Sequence, residues 1–109
     1  MYQSQWLQTR DIELFYITML LDVNLNLYKY FLAVMEEKTV SKAAEKLRVS
    51  QPTVSYNIHE LQRELQVKLF VVERGGIMPL PRALLLYQQL KPIYALLLQT
   101  ISSFAECNK

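Results

Sequence analysis

Between Thr39 and Leu65 two short apolar patterns are separated by only three residues, Arg48-Val49-Ser50. The second pattern opens on Ser50-Gln51-Pro52. This arrangement constrains the fold more than any other feature of the chain. Ser50 suits an N-cap, because its hydroxyl can accept a hydrogen bond from a free backbone N–H of the first helical turn. Pro52 then falls where its missing N–H costs nothing. Val54, Ile58, Leu61 and Leu65 recur at helical spacing, so a helix is predicted from about Ser50 to Leu65. The preceding pattern has Ser41 as its expected N-cap and Ala43, Ala44 and Leu47 as its buried side. Paired alanines permit close approach of two helix backbones. Two short helices across a tight link have only a few ways to bury their apolar faces together, and a helix-turn-helix is one of them.

The flanking sequence supplies the rest of a domain. Leu27, Tyr30, Phe31 and Val34 share one face of a helix predicted over about Leu25–Glu36. From Val67 the helical pattern gives way to alternation of Val67, Leu69 and Val71 with Lys68, Phe70 and Val72. Arg74-Gly75-Gly76 marks a turn, Ile77–Leu80 returns as a second strand, and Pro79 and Pro81 close the hairpin. From Pro81 or Arg82 a long helix is expected to about Phe104, with a kink at Pro92. The chain has only two glycines and four prolines in 109 residues, which favours long helices over a turn-rich β fold. The expected fold is mainly α: a three-helix core with a two-stranded wing, followed by a long helix. The expected division is an extension over 1–24, a winged helix-turn-helix over 25–81 and a linker helix over 82–109. Within the extension Ile12, Phe15, Tyr16, Met19, Leu20 and Val23 have helical spacing. The apolar run Ile12–Leu21 falls short of the roughly 20 residues a bilayer requires. No membrane role is therefore expected.

Charge and chemistry narrow the function. The net charge of +2 is too small to establish an anionic partner. From Asn24 to Arg82 nine Lys or Arg face six Glu, leaving +3. Cys107 is the single cysteine, so no internal disulfide is available and a reducing, cytoplasmic location is expected. His59 is the single histidine. A metal site needs three or four ligands, so no metal, cofactor or catalytic role is assigned. The helix opening at Ser50 instead exposes Gln51, Thr53, Ser55, Tyr56, Asn57 and His59 beside Pro52. Most of these are uncharged hydrogen-bonding groups suited to base edges in a major groove. Ser41, Lys42, Ser50 and Arg74 are candidates for phosphate contact. Glu60 and Glu64 repel phosphate, so the C-terminal half of this helix is expected to leave the groove.

The stretch TVSKAAEKLRVSQPTVSYNIHELQREL followed by QVKLF, Thr39–Phe70, resembles the N-terminal domain of LysR-type transcriptional regulators. The Ala-Ala pair, Ser-Gln-Pro, Ser-Tyr and the closing Leu-Phe carry the resemblance, which extends over Leu27 to about Leu98. It implies a winged reader of double-stranded DNA on a linker helix that dimerises in antiparallel fashion. Three positions depart from the family pattern. Gln66 stands where glycine is usual, Val72 where arginine is frequent in the wing, and Leu80-Pro81-Arg82-Ala83 where a Thr-x-x-Gly entry is usual. Family members continue into an effector-sensing domain of two α/β lobes. Nothing of that size follows here, so no small-molecule effector is expected within these residues. Leu86, Leu90, Ile93, Leu97 and Ile101 form a stripe in steps of three or four, the expected seam of a homodimer. The alternative is a protein-interaction subunit that pairs through this helix with a full-length relative and modulates it.

Overall fold

A computed structural model describes residues 24–74 and 76–107. The helix expected over 12–23 lies outside the described residues.

Helix α1 spans Leu25–Glu37. Asn24 caps it, its side chain accepting from Asn26 N at 3.0 Å. Leu27, Tyr30, Phe31, Ala33 and Val34 form its buried face, as the periodicity predicts. Lys38 ends it in the left-handed region (φ 71°), donating its N–H to the Val34 carbonyl at 2.8 Å. Helix α2 spans Val40–Leu47. Its cap is Thr39, not Ser41 as expected. Thr39 has an extended backbone, and its hydroxyl accepts from Lys42 N at 3.0 Å. Ser41 already lies inside the helix, exposed on its first turn. Arg48 closes α2 at φ 59°, and Val49 N reaches back to the Ala44 carbonyl at 3.0 Å.

Helix α3 spans Gln51–Leu65, with Ser50 as its N-cap and Pro52 in its first turn. Val54, Ile58 and Leu61 face the core, and Leu65 packs against its edge. Gln66, in place of the family's glycine, takes the left-handed conformation itself (φ 54°, ψ 38°). Ala43 and Ala44 are almost wholly buried where α2 meets its neighbours. The Phe31 and Phe70 rings meet at 5.9 Å and a tilt of 55°, joining α1 to the base of the wing.

The wing consists of β1 (Phe70–Glu73) and β2 (Gly76–Pro79). They pair antiparallel in the register Phe70 with Pro79, Val71 with Met78, Val72 with Ile77 and Glu73 with Gly76. Alternation suggests a first strand from Val67, but β1 starts at Phe70. The amides before it are used elsewhere: Val67 N donates to the Gln62 carbonyl at 3.1 Å and Leu69 N to the Gln62 side chain at 2.7 Å. Pro79 has no N–H to extend the ladder. Leu80 follows the second strand, its N–H donating to the Leu69 carbonyl at 2.8 Å.

Helix α4 spans Pro81–Cys107 and continues across Pro92. Leu80 supplies no side-chain cap. Its carbonyl accepts from Ala83 N at 2.8 Å and Leu84 N at 3.3 Å, and Pro81 lacks the N–H that would need a partner. Among the described residues, no helix is long and apolar enough to cross a membrane.

Candidate nucleic-acid interface

The first turns of α3 are fixed by their own capping chemistry. Ser50 Oγ accepts from Thr53 N at 3.2 Å and shares a hydrogen bond with Thr53 Oγ1 at 2.8 Å. Asn57 Nδ2 donates to the Thr53 carbonyl at 2.7 Å. Ser50, Thr53 and Asn57 thus spend part of their hydrogen-bonding capacity on the helix. Gln51, Pro52, Tyr56 and His59 are exposed, and Ser55 is half-buried. Tyr56 presents 64% of its surface.

Gln51, Ser55, Ile58, His59 and Gln62 occupy one side of α3, spaced by three and four. They form one wall of a groove of about 360 Å³. Thr39, Val40 and Ser41 at the start of α2 close one end, and Phe70, Val72, Gly76 and Ile77 of the wing form the opposite wall. The structure therefore brings Ser41 together with Gln51, Ser55 and His59. Lys42 does not line this groove. It lies instead in a shallower depression with Glu37, Glu45 and Lys46. Arg74 stands exposed at the wing turn, with φ 50°. Glu60 is paired with Arg63 on the part of α3 beyond Ser55.

Sequence reasoning passed over three contributors to this surface. Lys38 lines the groove and Thr39 starts the helix beside it. Gln62 accepts from Leu69 N at 2.7 Å and from Phe70 N at 3.1 Å, joining α3 to the foot of β1. Its seven-residue separation from Ser55 places it on the groove side of α3, a signal available in the sequence.

The candidate dimer seam divides in two. Leu86 and Leu90 are partly buried against the core of their own chain, next to the fully buried Ala83. Ile93, Leu97 and Ile101 are exposed, accompanied by Leu96, Leu98 and Phe104. The boundary falls at a polar cluster. Tyr87 Oη donates to Glu36 Oε2 at 3.2 Å, and Lys91 Nζ donates to Tyr87 Oη at 2.9 Å and lies 3.3 Å from Glu36 Oε2. Lys46 Nζ approaches Glu36 at 3.7 Å and Glu37 at 3.2 Å. Burial pushes the Glu36 carboxyl upward, but hydrogen bonds from Lys91 and Tyr87 and the charges of Lys91 and Lys46 together hold it below the usual range. Lys91 is raised, through its hydrogen bonds to Tyr87 and Glu36 and their charge. Burial, reinforced by the charge of Glu64, raises the Tyr28 hydroxyl near the start of α1.

The family of bacterial regulatory helix-turn-helix proteins, lysR family, matches residues 25–83. The HTH-type transcriptional regulator CysL of Bacillus subtilis (strain 168) is 44% identical over 63 residues, covering 58% of this chain and 21% of CysL. The regulator BenM of Acinetobacter baylyi is 46% identical over 48 residues, covering 44% of this chain and 15% of BenM. The chain thus spans about a fifth or less of the length of these relatives. Among solved structures, BenM DBD in complex with catB site 1 DNA superposes with a TM-score of 0.73 at 29% identity, covering 80% of this chain and 98% of that one. The CbnR DBD–DNA complex shares the fold, with a TM-score of 0.70 at 24% identity over 80% of this chain and 100% of that one.

Proposed function

The chain belongs to the lysR family of bacterial regulatory helix-turn-helix proteins, and from that premise we propose that it is a sequence-specific regulator of transcription that occupies duplex DNA as a homodimer. The observation that carries this reading is the exposed N-terminal side of α3. Gln51 and His59 line a groove closed by the wing, and Tyr56 stands free beside them. A major groove is wide enough to admit such a helix, and these side chains supply donors and acceptors for base edges. The similarity to a BenM DBD–DNA complex supports the same docking. Ser41 and Arg74 flank the helix as candidate phosphate contacts, and Lys42 is placed farther from the groove. No catalytic step is assigned, because His59 stands alone and exposed on a helix that serves recognition. A cytoplasmic location accords with the family's regulatory role and the single cysteine.

The exposed apolar half of α4 supports dimerisation, since patches of this kind are seldom left in water. The family resemblance suggests an antiparallel pair. A twofold pair presents two α3 helices to an inverted repeat. The same α4 face favours a second reading, in which the chain pairs with a full-length relative and modulates it. Selection of bound duplexes from a random pool separates the two. Recovery of an inverted repeat bound far more tightly than random DNA supports the first reading. Recovery of no preferred sequence by the homodimer refutes it.

A further inference from the structure

Building on the DNA-reading assignment above, we infer that Gln62 is a positioning residue, whose side-chain oxygen locks the wing to the recognition helix and sets where the wing meets the duplex. Gln62 Oε1 accepts two backbone amides of consecutive residues, Leu69 N at 2.7 Å and Phe70 N at 3.1 Å. Two N–H donors on one atom fix the carboxamide with its oxygen toward the strand. Leu69 and Phe70 are 1% and 5% exposed, so these amides have little access to water as a substitute partner. Among the described residues, no other side-chain hydrogen bond joins α3 to the wing.

The contact sits at the fulcrum of the wing. Phe70 begins β1 and inserts its ring against Phe31 on the core side. The Leu69 carbonyl accepts from Leu80 N at 2.8 Å, which closes the hairpin at the same level. Beyond this anchor the hairpin is held by its two-stranded ladder and by Ile77, which packs against the edge of the core. Arg74 lies four residues from Phe70, roughly 13 Å along a strand that rises about 3.3 Å per residue. A tilt of about 10° at the anchor would move the turn by roughly 2 Å, more than the spread of about 0.5 Å over which a hydrogen bond to phosphate forms. Gln62 also lines the same groove as Gln51, Ser55 and His59. One helix thus carries the base-reading groups at its start and the wing anchor eleven residues later. The oxygen of Gln62 transmits the depth and angle of α3 in the groove to the wing.

The test uses the full chain and the duplex recovered by selection. Gln62→Leu removes the acceptor at similar size, while Gln62→Glu keeps an oxygen within reach of both amides. Gln62→Asn withdraws the oxygen by one methylene and replaces the leucine variant should that variant fail to fold. Three quantities are read: amide exchange at Leu69 and Phe70 without DNA, hydroxyl-radical footprints, and the salt dependence of Kd. For Gln62→Leu we expect at least tenfold faster exchange at both amides and a retained footprint at the centre of each half-site. Its protection on the wing flank should be lost, and its salt slope should fall by about one unit, as Arg74→Ala alone would produce. The Gln62→Leu/Arg74→Ala double variant should lose no further slope, and Gln62→Glu, which keeps the acceptor, should return amide exchange at Leu69 and Phe70 without DNA to the wild-type rate. A wild-type chain that prefers no duplex overturns the DNA-reading assignment itself. A wild-type chain that binds its duplex, while Gln62→Leu keeps flank protection and slope or loses them additively with Arg74→Ala, overturns the positioning role alone.

Discussion

Replacing Ile101 by glutamate should separate the proposed dimer without unfolding its halves. Leu90 belongs to the same stripe and is the alternative position to charge. In the structure Leu90 packs partly against its own core, so a charge there would weaken folding and association together. Ile101 lies ten residues beyond Lys91, the last residue of the Glu36 cluster, and exposes 57% of its surface. Full burial of such a side chain contributes about 1.5–3 kcal/mol, and a little over half of that surface remains to be covered here. Twofold symmetry counts it twice, which gives roughly 2–3 kcal/mol of dimer stability from this position. The loss corresponds to an increase of about 30- to 160-fold in the dimer dissociation constant. Glutamate adds the cost of desolvating an unpaired charge, so this range is a lower bound. Sedimentation equilibrium at micromolar concentration reads the constant directly, and a melting curve on the same sample reports the fold. A variant with wild-type dissociation constant would show that the exposed half of α4 is not the interface. A variant monomer that melts far below the wild-type chain diluted to a monomer would show that Ile101 supports the monomer core, contrary to its exposure.

Three further outcomes are expected. Alanine at Gln51 and Tyr56 together should cost about 1–3 kcal/mol for each side chain bonded to a base edge and relax sequence choice at those positions, as measured by binding to single-base variants of the selected duplex. Gln66→Gly should raise stability by up to about 1 kcal/mol, because Gln66 holds φ 54° and a left-handed residue with a Cβ is strained; a lower urea midpoint would contradict this. The Glu36 carboxyl is held below its usual range, so its contribution to stability is complete above the unfolded value near 4.5 and is lost as pH falls through the lowered folded value. Thermal melting of the wild type should therefore decline more between pH 6 and pH 3 than that of Glu36→Gln, and equal declines would exclude the carboxylate as the cause.

The parts of this fold that local chemistry determines were legible in the sequence, and the parts decided by distant partners were not. Leu27, Tyr30, Phe31 and Val34 announce a buried face because one helix turn brings them together whatever surrounds them. Ser50 and Pro52 likewise mark the start of α3 through bonds within a single turn. Thr39 and Ser41 both carry the hydroxyl that an N-cap requires, and only the extended backbone at Thr39 decides between them. The start of β1 was harder still. Alternation runs from Val67, but a side chain seven residues earlier captures Leu69 N and delays the ladder. The exposure of the candidate residues Gln51, Tyr56 and His59 was visible because their positions follow from helix phase. The groove that Gln51 and His59 form with Val72 and Ile77 was not, since it depends on how the wing folds back.

Helix α4 shows why periodicity alone misplaces an interface. Leu86, Leu90, Ile93, Leu97 and Ile101 keep one rhythm, yet the first two rest on the parent domain and the last three face solvent. The dividing feature is a carboxylate 51 residues upstream of Tyr87 that no local pattern connects to this helix. Glu36, Tyr87 and Lys91, with buried Ala83, hold the first turns of α4 against α1 and so fix the direction in which the rest emerges. A helix of 27 residues is about 40 Å long, and its free half carries the proposed partner contact well away from α3. The separation of the two recognition helices in a dimer then depends on the angle set at Glu36 as much as on the apolar contact itself. In the proposed dimer, stability of association and spacing of half-sites would thus fall to different residues of one helix: Ile93 to Phe104 for the partner contact, and Ala83 to Lys91 for its direction.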